Sequence, residues 1–432
     1  MKYCVRCMYP ENAKPTLILD DGGVCSGCRY HESRDKLDIS WDDRENILRQ
    51  LLDKAKDTAK ERGNAHDCII PVGGGKDSTY QVWLMKVKYG MSPLLVTFNH
   101  LFNTPAGNRN LANLVEKSGC DLIRYSAGVD SVRKISRYML KQVGDLNWHY
   151  HAGIRTLPFQ IAVKHNIPLI IWGEHGFGEL TGVVTLEDFV EFTKWTRKEH
   201  DMRGYEPSDL IGNGGITKHD VYPYIYPTDE EINKTDVRGI FLSNHVFWNG
   251  MKHSQAMIDE WGFAPVTYER ERTFNIHSRL EDHANDVHDY LKYLKFGYGR
   301  ATDDASMEIR HGRMTREEGI KMVKLYDHKE PSSLELYCKF MGISKEEFYE
   351  IIEPMRDKSI WKKKKNGLWV VKDSVDRHPI EDRHEKARVP LVDKKFRTFG
   401  SECGHLYYNR SNPPKKTGES ALDDRPREFS FL

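Results

Sequence analysis

The chain has 432 residues, of which 39% are hydrophobic and 30% charged, and its 65 basic and 64 acidic side chains leave a formal net charge of +1. That length supports two or three domains with a full-sized core. The near-neutral balance argues against a dedicated nucleic-acid binder, which carries a basic surplus, and no apolar run approaches the ~18 residues of a membrane span.

In chain order, the start Met1-Lys2-Tyr3-Cys4 lacks the apolar core of a secretory signal, so a cytoplasmic protein is expected. Cys4-Val5-Arg6-Cys7 and Cys25-Ser26-Gly27-Cys28 are two Cys-x-x-Cys pairs separated by 17 residues, with the hairpin turn signal Asp20-Asp21-Gly22-Gly23 between them. Two such pairs bring four sulfurs into a tetrahedron. They predict a structural Zn²⁺ on Cys4, Cys7, Cys25 and Cys28 that folds residues 1–34 and leaves no open position for chemistry. Cys68 reads as core, and Cys120, Cys338 and Cys403 as isolated packed thiols.

Residues 40–62 read as an amphipathic helix with a serine or aspartate start. Strands are expected at Cys68–Val72, Leu94–Phe98, Asp121–Tyr125 and Leu169–Trp172, alternating with helices at Thr79–Tyr89, Asn108–Lys117, Ser131–Lys141 and Arg155–His165. Gly90 and Gly119 stand where helix C-caps belong. This order predicts an α/β fold, a parallel sheet with helices on both faces that binds ligands at the carboxyl ends of its strands. The first strand runs into Gly73-Gly74-Gly75-Lys76-Asp77-Ser78 and then a helix. A glycine turn at a helix N-terminus cradles phosphate, because glycine lets the backbone approach and the first free N–H groups face the anion. Lys76 adds a point charge, Ser78 a hydroxyl, and Asp77 a carboxylate for Mg²⁺ or for holding the loop. The spacing fits neither a Walker A loop nor a dinucleotide fingerprint.

Beyond the sheet, residues 183–202 read as an aromatic, charged helical stretch and Tyr205–Tyr226 as a long Gly/Pro/Tyr-rich loop of the kind that forms lids. Residues 228–360 read as mainly helical, with a cap at Ser344-Lys345-Glu346-Glu347, and 361–432 as a basic, partly irregular tail. Within the helical part, His288 to Gly319 is a dense polar run. There Lys292, Lys295, Arg300, Arg310 and Arg313 offer fixed positive charge to a phosphorylated or carboxylated ligand.

The loop resembles that of the PP-loop ATP pyrophosphatases, usually Ser-Gly-Gly-x-Asp-Ser, with Gly73 replacing the first serine. The resemblance implies an adenine-nucleotide α-hydrolase-like domain over residues 35–227. In it Gly73–Ser78 would hold the β,γ-phosphates of ATP, Val96-Thr97-Phe98 the adenine through backbone groups, and Arg155 the α-phosphate. Glu174 would make a second metal contact or orient ammonia, and His175, with His149 and His151, would transfer protons. Taken together, Lys76, Asp77, Glu174 and His175 would carry the catalysis. Knuckle, loop and polar run in this order also resemble the bacterial N-acetyl sugar amidotransferases, over roughly residues 1–375. That resemblance implies adenylation of an acetamido oxygen and its replacement by ammonia, giving an acetamidine, AMP and pyrophosphate in surface polysaccharide synthesis. The chain shows no glutaminase arrangement of its own, so a separate class I glutaminase subunit is the expected partner. The other acceptor class of the superfamily is tRNA, for thiolation or lysidine-type synthesis. Thiolation enzymes need a cysteine pair where this chain has Trp148-His149-Tyr150-His151, and persulfide chemistry needs a thiolate. A non-catalytic scaffold with a degenerate loop is supported only by Gly73.

Overall fold

A five-stranded sheet, its inner strands apolar and buried on both sides, is built from β1 (Cys68–Pro71), β2 (Pro93–Phe98), β3 (Leu122–Tyr125), β4 (Leu169–Trp172) and β5 (Arg238–Phe241). All pairings are parallel and the order is β3-β2-β1-β4-β5. The computed structural model describes residues 1–266 and 268–378. Cys403 and the expected tail beyond residue 378 lie outside the described residues.

Among the helices that precede β5, these position the site: α1 (Ser26–Ser33), α2 (Trp41–Glu61), α3 (Lys76–Trp83), α4 (Pro105–Ser118), α5 (Val129–Val143), α6 (Trp148–His165) and α7 (Gly176–Thr181). Side chains alternate across the sheet. Ile69, Val96 and Ile170 pack on one face against Val132 and Met139 of α5 and Phe159 of α6. Ile70, Leu95 and Ile171 pack on the other against Leu48 and Leu52 of α2, Val82 of α3 and Leu114 of α4. Cys68, Cys120 and Cys338 are packed in these and a neighbouring helical core, as their isolation implied. Serine caps start two helices where the sequence places them. Ser40 accepts the Asp43 N–H at 3.1 Å, and Ser344 accepts the Glu347 N–H at 3.1 Å.

Four expectations change. The sheet gains β5, past the expected domain limit at residue 227, because the short run Arg238–Phe241 buries against β4. The helix expected from Arg155 begins at Trp148, so Arg155 is mid-helix. Pro158, which normally marks a first turn, here sits inside α6. Residues 183–202 are helical only in part, at Leu186–Asp188 and over the contiguous segments Lys194–Thr196 and Arg197–Asp201. The Tyr205–Tyr226 segment is no lid: Tyr205, Leu210, Ile216, Val221 and Tyr224 are buried in the core that α5 and α6 share with the sheet.

After β5 come helices at Gly250–Trp261, Ala284–Phe296, Arg300–Arg310, Arg316–Tyr326, Ser333–Met341 and Lys345–Ile352. The described start of the expected irregular tail is an antiparallel hairpin, β6 (Trp361–Lys363) with β7 (Trp369–Val371). Segment 280–283 runs alongside the turn after β2: Thr104 N–H donates to Glu281 C=O at 3.0 Å and His283 N–H to Phe102 C=O at 3.1 Å. The C-terminal half thereby reaches the carboxyl edge of the sheet. No helix among the described residues is long and apolar enough to cross a membrane.

Candidate active site

The strand order reverses between β1 and β4, and a crevice opens at their carboxyl ends, where ligands bind in such sheets. The segments leaving both strands, Gly73–Ser78 and Gly173-Glu174, line one cavity of about 520 Å³ there. Gly74 is obligatory on two counts. Its φ is +84°, and a Cβ would lie 2.4 Å from the Gly107 carbonyl oxygen. Gly75 is the N-cap of α3 with no side chain capping it, which leaves the first-turn N–H groups to an anion. Ser78 Oγ donates to Gly75 C=O at 3.1 Å, tightening the turn.

Lys76 Nζ donates to Asp77 Oδ2 at 2.6 Å. Burial works against its charge, but Asp77 and Glu174 outweigh burial and raise its pKa. Asp77 Oδ1 and Glu281 Oε2 are buried without a hydrogen-bond partner among the described residues. Glu174, Glu281, Asp304 and Glu308 line the same cavity. These carboxylates suit a hard cation that arrives with phosphates, since Mg²⁺ takes one or two carboxylates plus phosphate oxygens. They are not preassembled: among the described residues only the four knuckle cysteines gather three or more ligand atoms, all within 4.8 Å.

Enclosure in the cleft, with Asp77 and Glu179 nearby, pushes the Glu174 carboxyl up to about 8. A carboxyl that holds its proton more tightly folded than unfolded favours the fold at low pH. That contribution is lost as pH rises from 4.5, its ordinary value, through about 8. Glu174→Gln is therefore expected to melt above wild type beyond pH 8 and to match it near pH 4.5. A pH series of thermal denaturations checks this, and a pH-independent difference would contradict it.

Phe98 and Arg155 line the cavity. Arg155 lies over the Trp172 ring, 4.5 Å from its centroid, and its Nε donates to Asp201 at 3.2 Å. The Thr97 side chain, one residue out of phase with Val96 and Phe98, is buried on the other side of β2, so only its backbone remains available. His175 borders a second cavity of about 400 Å³ that shares Tyr150, Arg155, Arg279, Glu281 and Arg300 with the first. Burial lowers His175 to about 3, so it is a neutral imidazole and a weak base. His151 also lines the second cavity and is lowered to about 4 by burial. His149 is packed against Ser136, outside both cavities.

The five cations of the polar run are spread out and paired. Arg300 makes two bonds to Asp289, at 3.0 and 2.9 Å. Lys292 holds Asp303 at 2.6 Å, and Lys295 donates to the Val143 and Gly144 carbonyls at 3.2 and 3.0 Å. Arg313 grips Glu308 at 2.6 and 2.8 Å at the cavity rim. Arg310 faces away from the ligand space: it donates to Cys25 Sγ at 3.4 Å and to the Glu179 and Leu180 carbonyls at 2.7 and 2.9 Å. Fixed charges spaced along a sequence find acidic partners when the helices pack, because a buried unpaired charge is costly. Lys292, Lys295, Arg300 and Arg313 therefore hold the walls of the cavities. Tyr150, Trp248, Arg279, Glu281, Asp304 and Glu308 line the main cavity without having been singled out from the sequence. Trp248, Arg279 and Glu281 come from stretches without periodicity, and the packing of the C-terminal half over the strand ends brings in all but Tyr150.

Residues 268–375 match the model of the C-terminal domain of WbpG-like LPS biosynthesis proteins. The match bears out, for this region, the resemblance seen in the sequence. The uncharacterized protein MJ1599 of Methanocaldococcus jannaschii is 23% identical over 252 residues, 52% of this chain and 85% of that protein. The structure of NMN synthetase from Francisella tularensis aligns at 13% identity and a TM-score of 0.30, covering 64% of this chain and 94% of the other. At that TM-score the likeness carries no weight for function.

Proposed function

We propose, for a chain whose residues 268–375 are a WbpG-like LPS-biosynthesis C-terminal domain, that it is an ATP-dependent, AMP-forming amidotransferase acting in the cytoplasm on an N-acetyl sugar. One observation carries this reading. Arg279, Glu281, Arg300, Asp304, Glu308 and Arg313 of the WbpG-like region form a wall of the same cavity that holds the glycine loop. A phosphate cradle and the family-specific region thus face each other across one space.

In the proposed reaction the acetamido oxygen attacks the α-phosphorus of ATP. The bond to the β-phosphate breaks, and pyrophosphate leaves from the loop. Ammonia adds to the carbon of the O-adenylyl imidate, the C–O bond breaks and AMP departs. One water equivalent has then passed from amide and ammonia to ATP, leaving an acetamidine. No enzyme nucleophile is required. The chain positions the reactants and neutralises charge through Lys76 and the first-turn N–H groups of α3. Mg²⁺, which would spread the phosphate charge, would be held by Asp77 with Glu174 or Glu281. Arg155 would meet the α-phosphate, and Val96-Thr97-Phe98 would offer backbone to the adenine. The sugar would occupy the second cavity, with neutral His175 and His151 as polar contacts. Ammonia would come from a separate class I glutaminase. In the four-thiol site zinc would be structural.

The test is pyrophosphate and AMP release by the purified chain with ATP, Mg²⁺ and ammonium, against a panel of acetamido sugars and bulk tRNA. Release that depends on one sugar, with oxygen exchanged for NH in the product, is the expected result. Release with tRNA alone would overturn the sugar assignment.

A further inference from the structure

His100, just after β2, is 4% exposed. Its Nδ1 lies 2.8 Å from Asp282 Oδ2. Asp282 is itself fixed, because its Oδ1 accepts the Ala284 N–H at 2.9 Å. The Tyr150 ring lies against the imidazole, with centroids 3.8 Å apart. One face of the residue is thus completely tied down. The other nitrogen, Nε2, is buried without any hydrogen-bond partner among the described residues. A buried polar atom left unpaired is costly, and its presence calls for a ligand that is absent. The direction it faces identifies that ligand: a Cβ built on Gly73 would stand 3.8 Å from Nε2. Gly73 is the first residue of the phosphate loop and the one position where the PP-loop resemblance calls for a serine hydroxyl.

We infer that His100 completes the phosphate cradle, its Nε2–H taking the place of the side-chain donor that Gly73 lacks and binding an oxygen of the β- or γ-phosphate. With Nδ1 held by Asp282, Nε2 is the nitrogen the ring presents to the anion, on the side where phosphate sits. Gly73 is then no sign of a decayed loop, because the missing hydroxyl is supplied from the next strand. Asp282 is the positioning residue, and it comes from the WbpG-like region, so that region also sets the chemistry of the loop. The inference rests on the reading of Gly73–Ser78 as the site of the ATP phosphates.

Two substitutions separate this role from packing. Asparagine places an amide near Nδ1 and keeps the Asp282 bond but has nothing at Nε2, whereas glutamine reaches toward Nε2. Magnesium pyrophosphate binding to the full chain, followed by calorimetry, is expected to weaken about ten- to a hundredfold in His100→Asn, the loss of one charge-assisted hydrogen bond. His100→Gln should keep more of it. Adding Gly73→Ser to His100→Asn should recover most of the affinity, since a serine Cβ fits at 3.8 Å. Affinity retained in His100→Asn, or a loss that Gly73→Ser does not relieve, would overturn the assignment while leaving the phosphate site standing. A wild-type chain that binds neither magnesium pyrophosphate nor Mg-ATP would remove the phosphate site and this role with it.

Discussion

Lys76→Met is expected to cut ATP-dependent pyrophosphate release by at least about a hundredfold, the scale on which a preorganised electrostatic contact to a developing charge acts. Two losses combine. The phosphates lose their nearest fixed cation, and Asp77, bonded to Lys76 at 2.6 Å, is left without its partner beside Glu174. The stranded Asp77 carboxylate then repels the incoming anion. Lys76→Arg should rescue little, because the ammonium is seated against Gly250. A Cβ at Gly250 would already lie 2.9 Å from Nζ, so a planar guanidinium has no room there. Steady-state pyrophosphate release with each variant decides it, and an arginine variant near wild-type rate would refute the seating argument. The double variant Lys76→Met with Asp77→Asn removes the stranded carboxylate. It should melt above Lys76→Met alone while staying slow.

The second large effect comes from the knuckle, far from any reacting atom. With zinc in the four-thiol site, as proposed, chelation or Cys25→Ser is expected to abolish activity instead of merely loosening the first 34 residues. The reason is what α1 touches. Ser26 Oγ donates to Thr181 C=O at 2.5 Å, and His31 Nε2 lies 3.4 Å from Glu179. A Cβ on Gly182 would lie 2.3 Å from the Ser26 carbonyl oxygen, so α1 and α7 are packed backbone to backbone. Arg34 also pairs with Glu179, and although burial opposes its charge, Arg34 and His31 hold the carboxyl down to about 2. Arg310 bridges the Cys25 sulfur to the carbonyls of Glu179 and Leu180. α7 begins two residues after Glu174, so losing the knuckle frees the segment that presents Glu174 to the cleft. Structural zinc contributes on the order of 10 kcal/mol to small folds, as much as a whole domain's net stability. Hydrogen exchange should show deprotection spreading from residues 1–34 into 174–182. Protection retained in 174–182 with full activity would show the knuckle to be an independent appendage.

The glycine loop and the two Cys-x-x-Cys pairs were legible because they are local. A phosphate turn or a metal knuckle is written in consecutive residues whose φ/ψ and ligand spacing are set by near neighbours. β1, β2 and β4 were legible for a related reason, since strands buried on both faces need continuous apolar runs. Where reading by local signals failed, a non-local contact decided. The helix expected from Arg155 begins at Trp148, whose side chain packs into the core. Tyr205–Tyr226 had a lid's composition, yet its apolar side chains found the core. Arg310 belonged by charge to a ligand site and by position to the sulfur cluster.

By itself the sequence determined the class of fold, the glycine turn after β1 and the grouping of the four thiols, because each is a pattern of residue types at fixed short spacing. Only the tertiary structure decided which charges are spent on one another. It also decided that β5 closes the sheet and that Glu281 and Asp282 cross to the far side of the loop. Those outcomes depend on which segments meet, since a charge or an orphaned nitrogen acquires its role from a partner that can lie anywhere in the chain. His100 shows the division most sharply: nothing within reach of it in sequence marks it, and a carboxylate 182 positions away holds it beside the glycine loop.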